Sequence, residues 1–291
     1  MGVITVRVSI RSASFAYGDK EVWRDINLDV EKGETVCLLG PNGCGKTTLL
    51  NCIHGDLALK SGTIRIDGRD ISAMSVREVA RKIGYVFQEH NAPFPYSSLE
   101  VVRMGRAPYL GLFQAPSRYD TELARNIMEE MGIGYLADKR YTNISGGERQ
   151  LVLIARTLCQ EPEIILFDEP TSHLDFKNQA LVLETISNLA SKGLTIIMTS
   201  HFPNHAWLLN SRVAMMNHNG FITVGPAEEV MTEQNLSEVY GLRVKVYKAM
   251  DGNRTINFCT PEYFFEADHL DAPYRSSQCQ HTYRAPRAFS S

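Results

Sequence analysis

The sequence has no long apolar segment. Among its 291 residues, no stretch approaches the ~20 consecutive apolar residues that a helix needs to cross a bilayer. The amino terminus also lacks a basic segment followed by an apolar core, which is the pattern of a secretory signal. We therefore expect the chain to stay in the cytosol and to reach a membrane only through a partner.

The composition also gives little support for a zinc site, a disulfide framework or a nucleic-acid-binding surface. The six cysteines are scattered, with no CxxC and no paired Cys/His spacing, so neither a zinc site nor a disulfide framework is predicted. A net charge of −3 with 22% charged residues gives no basic excess, which disfavours a dedicated nucleic-acid binder. The length allows one large α/β domain with a modest C-terminal extension, or at most two small domains.

What the sequence does contain is an alternation of strand and helix patterns. Residues 4–11 alternate apolar and polar side chains, which indicates a strand with one buried face. Residues 35–39 form an unbroken apolar run, typical of a strand covered on both faces. A short strand is predicted at residues 83–87, buried strands at 164–167 and 194–199, and helices at 46–53, 151–158 and 181–189. Strands that alternate with helices predict a parallel sheet.

Changes in composition divide the chain. We expect one domain over residues 1–225, with a helical subdomain inserted at about residues 89–160. Residues 226–265 are predicted to form a small extension of short helices and a hairpin that turns at Asp251-Gly252. Residues 266–291 are polar and lack periodicity, so we predict a disordered tail.

Residues 40–47 match the phosphate-binding pattern GxxxxGK[ST]. They lie between a buried strand and the start of a helix, which is the position that this motif requires. The glycines let backbone N–H groups converge on phosphate oxygens, Lys46 would bridge the β and γ phosphates, and Thr47 would ligate Mg²⁺. The predicted ATP-binding residues of this segment are Gly40, Pro41, Asn42, Gly43, Cys44, Gly45, Lys46, Thr47 and Thr48.

Cys44 stands where Ser or Ala is more usual in this motif. The field at a helix amino terminus lowers the pKa of a nearby thiol. We therefore expect Cys44 to have an acidic thiol whose alkylation ATP prevents.

A second motif is a buried strand that ends in two carboxylates, Asp168 and Glu169. Because open α/β sheets bind ligands at the carboxyl ends of their strands, we expect Asp168 beside the glycine loop, holding magnesium directly or through water. Glu169 is then placed to act on the water that attacks the γ-phosphate, as a general base or an orienting group. Acidic residues at strand ends are also common helix caps, but together with Lys46 the pair predicts nucleotide hydrolysis.

Between these motifs stands Ile144-Ser145-Gly146-Gly147-Glu148-Arg149-Gln150, followed by a helix. This segment resembles the signature of ABC ATPases, and the resemblance covers about residues 3–224. It implies a RecA-like P-loop core with a mixed, mainly parallel sheet, an N-terminal antiparallel β subdomain and an inserted α-helical subdomain. Ser145, Gly146, Gly147 and Glu148 would bind the nucleotide held by a second copy. The same Ser and Glu also form a capping-box pattern, and both roles are compatible.

Other residues resemble elements of the same family. Gln88 resembles the glutamine that senses Mg²⁺ and the attacking water, His201 the histidine that contacts the γ-phosphate, and Tyr17 the aromatic residue that stacks on adenine. Ser172, His173, Leu174 and Asp175 resemble the loop that crosses the dimer interface, although the family more often has Ala at position 173. The predicted catalytic residues are therefore Glu169, His201, Gln88 and Lys46, and the predicted Mg²⁺ ligands are Thr47, Gln88 and Asp168.

The resemblance also implies partners. In this family the signature of one copy completes the site of the other, so we expect a head-to-tail homodimer around two ATP molecules. Residues 102–113, followed by Pro116-Ser117 and Asp120, and residues 201–206 resemble ATPases of iron-siderophore, haem and cobalamin importers. The expected partners are two transmembrane permease subunits and, indirectly, a periplasmic or extracellular substrate-binding protein, with no nucleic acid. The chain would act at the cytoplasmic face of the inner membrane.

Three alternatives to a metal-chelate importer stay open. A molybdate or tungstate importer has a similar architecture. An exporter ATPase is usually fused to membrane helices, although separate subunits exist. A soluble ABC protein acting on DNA or ribosomes usually carries two cassettes or a long heptad insert, and the sequence shows neither.

Overall fold

The computed structural model describes residues 5–87, 95–111, 113–218, 220–252 and 254–262. The chain divides into two units, Met1–Pro261 and Glu262–Ser291, and every element named below belongs to the first. In the described ranges, no helix combines the length and the apolar character that spanning a bilayer requires.

Strands and helices alternate along much of the first unit. The strands are β1 (Val6–Tyr17), β2 (Lys20–Glu31), β3 (Thr35–Leu39), β4 (Ser61–Ile66), β5 (Arg69–Asp70), β6 (Ile83–Val86), β7 (Ile164–Phe167), β8 (Thr195–Ser200), β9 (Arg212–Asn217), β10 (Gly220–Pro226), β11 (Val244–Asp251) and β12 (Arg254–Pro261). The helices are α1 (Lys46–His54), α2 (Val76–Lys82), α3 (Ser98–Arg103), α4 (Arg118–Glu130), α5 (Gly146–Cys159), α6 (Phe176–Ser191), α7 (Asn204–Leu208), α8 (Ala227–Val230) and α9 (Glu233–Tyr240). Short 3₁₀ turns lie at Ile71–Ala73, Met104–Tyr109, Gly134–Leu136 and Tyr141–Asn143.

The larger sheet has the strand order β10-β9-β3-β8-β7-β6 and is parallel except for β10. The apolar strands β3, β6, β7 and β8 are buried along their whole length, as expected for strands covered on both faces. Parallel pairing brings the carboxyl ends of β3, β7 and β8 to one edge of the sheet, where Leu39 pairs with Ser200 and Phe167 with Met198. The segments after these three strands carry the glycine loop with Lys46 and Thr47, the carboxylates Asp168 and Glu169, and His201.

Two hydrophobic cores lie on opposite faces of this sheet. An antiparallel sheet with the order β2-β1-β4-β5 packs with α1 over one face, and Val36 and Leu38 of β3 point into this core. Cys37 and Leu39 point into the other core, which also contains the inserted helices, α5 and α6. This alternation follows from the two-residue period of a strand. The predicted fold class, a mainly parallel α/β sheet with an antiparallel N-terminal sheet and inserted helices, is confirmed.

The helices between β6 and β7 pack around a buried arginine. Arg106 Nε lies 3.0 Å from Asp120 Oδ1 on α4, and its guanidinium lies 4.0 Å from the centre of the Tyr109 ring. At the neighbouring Gly105, an added Cβ would clash with the carbonyl oxygen of Arg156 on α5, so a glycine allows this close approach. Part of the segment that resembles importer ATPases therefore has a packing role.

The last elements of the first unit are α8, α9 and a two-stranded hairpin. The strands β11 and β12 pair antiparallel from Val244 with Pro261 to Asp251 with Arg254. Val244 and Cys259 at the base of the hairpin are buried in the same core as the inserted helices. The hairpin is thereby fixed to the body of the first unit.

Candidate active site

The glycine loop after β3 leads into α1 through backbone that favours glycine. Gly43 and Gly45 have φ values of 79° and 98°, and an added Cβ at Gly45 would lie 2.7 Å from side-chain atoms of Val22 and Trp23. Gly45 is the N-cap of α1, and no side chain in the described ranges caps this helix end. The amino end of α1 is therefore suited to bind an anion.

Lys46 lies across this loop. Only 5% of its surface is exposed, and its Nζ donates hydrogen bonds to the carbonyl oxygens of Gly40 at 2.8 Å and Pro41 at 3.0 Å. The same Nζ lies 3.9 Å from Glu169 Oε1. A buried ammonium group with neutral carbonyl partners and one carboxylate nearby is well placed to bind an anionic ligand.

Asp168 lies next to the amino end of α1. Its Oδ1 accepts hydrogen bonds from Thr47 Oγ1 at 3.0 Å and Thr199 Oγ1 at 2.7 Å. The Tyr85 hydroxyl lies 3.4 Å from Oδ2, and burial together with the Asp168 charge raises the pKa of Tyr85. Thr47 and Asp168, two of the predicted Mg²⁺ ligands, are thus side by side.

Glu169 has an unusual backbone conformation. Its φ of 46° lies in the left-handed region, which costs a non-glycine residue on the order of 1–3 kcal/mol. Its backbone N–H donates to Thr199 Oγ1 at 2.8 Å, which helps to hold this conformation. The carboxylate accepts a hydrogen bond from Ser172 Oγ at 2.9 Å, and His201 Nδ1 lies 3.2 Å from the same oxygen, Oε2.

His201 follows β8 and is supported by residues after it. Its ring packs on Phe202 at a centroid distance of 4.0 Å. Behind it, the buried His205 has its Nδ1 3.1 Å from Ser200 Oγ. Burial, and secondarily the charge of His201, lowers the pKa of His205 to about 4, so His205 is neutral near pH 7. The sequence therefore places a neutral histidine behind the one that reaches Glu169.

A cavity of about 470 Å³ opens over the glycine loop. It is lined by Tyr17, Lys20, Glu21, Val22, Asn42, Gly43, Gly45, Lys46, Thr47, Thr48, Glu169 and His218. Tyr17 is 54% exposed, and its hydroxyl lies 3.5 Å from Thr48 Oγ1. The size suits a small-molecule ligand.

Sequence reasoning missed several residues of this site. Lys20, Glu21 and Val22 reach the cavity because β1 turns back into β2, and His218 does so from the turn between β9 and β10. Thr199 joins Asp168 to the backbone of Glu169, although in the sequence it is one polar residue at the end of an apolar strand. A hydroxyl at the end of a strand that is predicted to be buried needs a hydrogen-bond partner, and this requirement could have identified Thr199.

The segment Ser145–Glu148 is a helix cap in the single chain. Ser145 Oγ accepts from the Glu148 backbone N–H, and Glu148 accepts from the Ser145 backbone N–H at 2.8 Å. The hydrogen bond from the Ser145 backbone N–H, followed by one from the Ser145 side chain, lowers the pKa of the Glu148 carboxylate. Among the described residues that line the cavity, none comes from this segment. The structure thus confirms the capping-box pattern, and the role in trans stays a prediction.

The loop from Ser172 to Asp175 connects these two regions. Ser172 contacts Glu169, whereas an added Cβ on Gly146 would lie 3.7 Å from Leu174 Cδ2. His173 has a left-handed φ of 62°, and Asp175 caps α6 by accepting from the Asn178 backbone N–H at 2.8 Å. This loop therefore contacts the carboxylate at the cavity and lies close to the start of α5.

The predictions for Gln88 and Cys44 are not confirmed by the structure. Gln88 lies outside the described residues, so its placement stays a prediction. The prediction of an acidic Cys44 thiol is wrong, because burial raises the pKa of Cys44 more than the charge of Lys46 lowers it. The Sγ atom packs under the loop against Gly40, and Cys44 does not line the described cavity.

Comparison with known proteins agrees with this geometry. The profile of the ABC transporter family matches residues 23–172. The chain is 34% identical to the molybdate import ATP-binding protein MolC of Haemophilus influenzae, over 81% of this chain and 88% of that protein. It is also 34% identical to the hemin import ATP-binding protein HmuV of Thermobifida fusca, over 83% of this chain and 84% of that protein.

A solved structure of similar fold is the inward-facing conformation of a metal-chelate type ABC transporter. The TM-score is 0.81 at 31% sequence identity, with 89% of this chain and 98% of that chain covered. The glycine loop, the paired carboxylates and the histidine after β8 thus occur on the fold of this family. The chain belongs to the ABC transporter family, as one of its ATP-binding subunits.

Proposed function

We propose that this chain binds and hydrolyses MgATP as a head-to-tail homodimer and powers an ABC importer of a metal chelate. The observation that carries the proposal is the convergence of Lys46, Thr47, Asp168, Glu169 and His201 at one sheet edge, where each has a polar side-chain atom within 3.9 Å of another member of the group. Cations, hydroxyls and carboxylates in this arrangement suit phosphoryl transfer to water.

The residues present fit both ATP and Mg²⁺. Thr47 Oγ1 and Asp168 Oδ1, which lie 3.0 Å apart, are oxygen donors of the kind that Mg²⁺ prefers. Bound Mg²⁺ would neutralise charge on the β and γ phosphates. Lys46 would exchange its carbonyl partners for phosphate oxygens, and Tyr17, at the exposed end of the cavity, would stack on adenine.

In the reaction, Glu169 would accept a proton from the attacking water. The water oxygen forms a bond to the γ-phosphorus while the bond from this phosphorus to the β–γ bridging oxygen breaks, and ADP leaves with that electron pair. Ser172 and His201, both at Glu169 Oε2, would orient the carboxylate. Lys46, 3.9 Å from Oε1, would stabilise the negative charge that accumulates on the phosphates.

A second copy would complete each site. Ser145–Glu148 form the amino end of α5, which is an anion site by its geometry, and they do not line the described cavity of their own chain. We propose that they bind the γ-phosphate of ATP held by the partner. The Ser172–Asp175 loop contacts Glu169 and lies close to Gly146, so closure of the dimer would shift the position of the carboxylate through this loop.

The transport role is proposed from the relatives. HmuV is named for hemin import, and the solved transporter is of metal-chelate type, which favours a metal chelate over the molybdate of MolC. The partners would be two transmembrane permease subunits and, indirectly, a substrate-binding protein, with the chain at the cytoplasmic face of the membrane. To test the cargo, uptake of radiolabelled hemin and of molybdate is compared in cells with and without the gene for this chain. Loss of molybdate uptake alone would overturn the proposal of a metal chelate as cargo.

The catalytic proposal is tested with Glu169→Gln and the matched control Glu184→Gln, which changes an exposed glutamate on α6. We expect Glu169→Gln to bind ATP, to lose turnover by about 100-fold or more and to elute as a dimer with MgATP in size-exclusion chromatography. Glu184→Gln should behave as the unmodified chain. Hydrolysis retained by Glu169→Gln would refute the role of this carboxylate.

The Glu169→Gln variant can also be used to test the head-to-tail arrangement of the dimer. Adding Ser145→Arg to Glu169→Gln places a bulky cation where we propose that the partner's γ-phosphate site lies. The double variant should still bind ATP through its own glycine loop but should elute as a monomer. A dimer that forms equally well with Ser145→Arg would contradict the proposed role of this segment.

A further inference from the structure

The side chain of Asn204 ties the loop that carries His201 to the C-terminal hairpin. Asn204 is the first residue of α7, three residues after His201. Its Nδ2 donates to the carbonyl oxygen of Cys259 at 3.2 Å, and its Oδ1 accepts from the backbone N–H of Cys259 at 2.8 Å. Both backbone polar groups of Cys259 are therefore satisfied by one amide side chain.

This contact matters because of where Cys259 lies. Within the described part of the chain, β12 pairs only with β11, so its outer edge has no strand partner. Cys259 is nevertheless buried, and buried backbone groups need hydrogen-bond partners. Asn204 supplies them, and so the position of the loop depends on the hairpin.

Hydrogen bonds within the loop between β8 and α7 also hold it together. Ser200 Oγ accepts from the Phe202 backbone N–H at 2.9 Å and lies 3.1 Å from His205 Nδ1. Pro203 precedes Asn204 and restricts the backbone at that point. A short, internally bonded loop moves as a body, so a contact at Asn204 also restrains His201.

We propose that Asn204 is a positioning residue that, through the hairpin β11–β12, holds His201 at Glu169. This inference rests on the proposed function of His201 in ATP hydrolysis. The hairpin is then a part of the framework of the catalytic site, although it contributes no residue to the described cavity.

The test compares Asn204→Ala, Asn204→Asp, His201→Ala and the double variant His201→Ala/Asn204→Ala in the full chain. Asn188→Ala, at an exposed asparagine of α6, is the control. For each, kcat and KM for MgATP, the Kd of ATP and the melting temperature are measured. We expect Asn204→Ala to lower kcat about 10- to 100-fold with little change in the Kd of ATP. Asn204→Asp keeps the acceptor for the Cys259 N–H and should lose less.

The double variant separates a positioning role from general destabilisation. If Asn204 acts through His201, the double variant should hydrolyse ATP as slowly as His201→Ala alone. A double variant slowed by the product of the two single effects, or an Asn204→Ala chain with normal kcat, would overturn this inference and leave the proposed function intact. A His201→Ala chain with normal kcat would instead refute the role of His201. If Asn204→Ala melts below the assay temperature, Asn204→Asp and its double variant with His201→Ala provide the same comparison.

Discussion

Replacing Thr199 by valine tests whether one buried hydroxyl holds the two carboxylates in place. Thr199 is fully buried, donates to Asp168 Oδ1 and accepts from the Glu169 backbone N–H. Valine keeps the shape of the side chain but removes both hydrogen bonds. Serine keeps the hydroxyl and loses one methyl group, so it is the matched control.

The expected loss of stability follows from these contacts. A hydrogen bond to a charged group contributes about 1.5–3 kcal/mol, and an unsatisfied buried N–H costs about 1–3 kcal/mol. Because Thr47 still donates to Asp168, we take the lower part of these ranges, about 3 kcal/mol in total. In a domain of this size that corresponds to a melting temperature lower by roughly 6–12 °C. The serine variant should lose about 1 kcal/mol, or roughly 2–4 °C.

Thermal unfolding followed by circular dichroism measures the stability, and a phosphate-release assay measures hydrolysis. Since the left-handed backbone of Glu169 loses a hydrogen bond, kcat of Thr199→Val should also fall about 10-fold, whereas that of Thr199→Ser should stay close to normal. The proposed role of the Thr199 hydroxyl is wrong if both variants melt within about 2 °C of each other and hydrolyse ATP at the same rate.

Two other predictions concern buried ionisable groups. Arg106→Met leaves Asp120 without its cation and should lower the free energy of unfolding by about 3 kcal/mol. The control Arg118→Met breaks an exposed pair with Glu122 and should change the free energy of unfolding by less than about 0.5 kcal/mol. Urea unfolding measures both changes. The pKa of His205 is lowered by burial to about 4, and because the unfolded chain has the ordinary pKa of about 6.5, stability should fall by up to about 3 kcal/mol as the pH drops from about 6.5 to about 4. His205→Gln should flatten this part of the stability profile, and an unchanged profile would show that other groups cause it.

The glycine loop and the paired carboxylates could be predicted because their geometry is local. A buried strand, a loop and a helix follow one another in residues 35–53, so the chain order fixes where Lys46 and Thr47 point. Asp168 and Glu169 follow another buried strand, and parallel pairing brings both strand ends to the same edge. Each motif could therefore be recognised from the residues next to it in the sequence.

Other features depend on contacts that the chain order does not reveal. His218 reaches the cavity from a turn far from the glycine loop in sequence, and Asn204 contacts a strand 55 residues later. The wrong expectation for Cys44 has the same origin, since the helix field is a local property whereas burial depends on the whole fold. The pairing of Ser145 with a partner's nucleotide depends on a second chain, so it stays a prediction.

Glu169 is the residue at which these contacts meet. Its backbone is held by Thr199, one oxygen lies near Lys46, and the other lies near Ser172 and His201. Ser172 begins the loop that lies close to the start of α5, and His201 belongs to the loop that Asn204 ties to the hairpin. A carboxylate with a strained backbone and several neighbours is sensitive to small shifts of any of them. Under the proposed mechanism, this sensitivity would make hydrolysis depend on the closure of the dimer, because closure would move the Ser172–Asp175 loop while the hairpin would keep His201 in place.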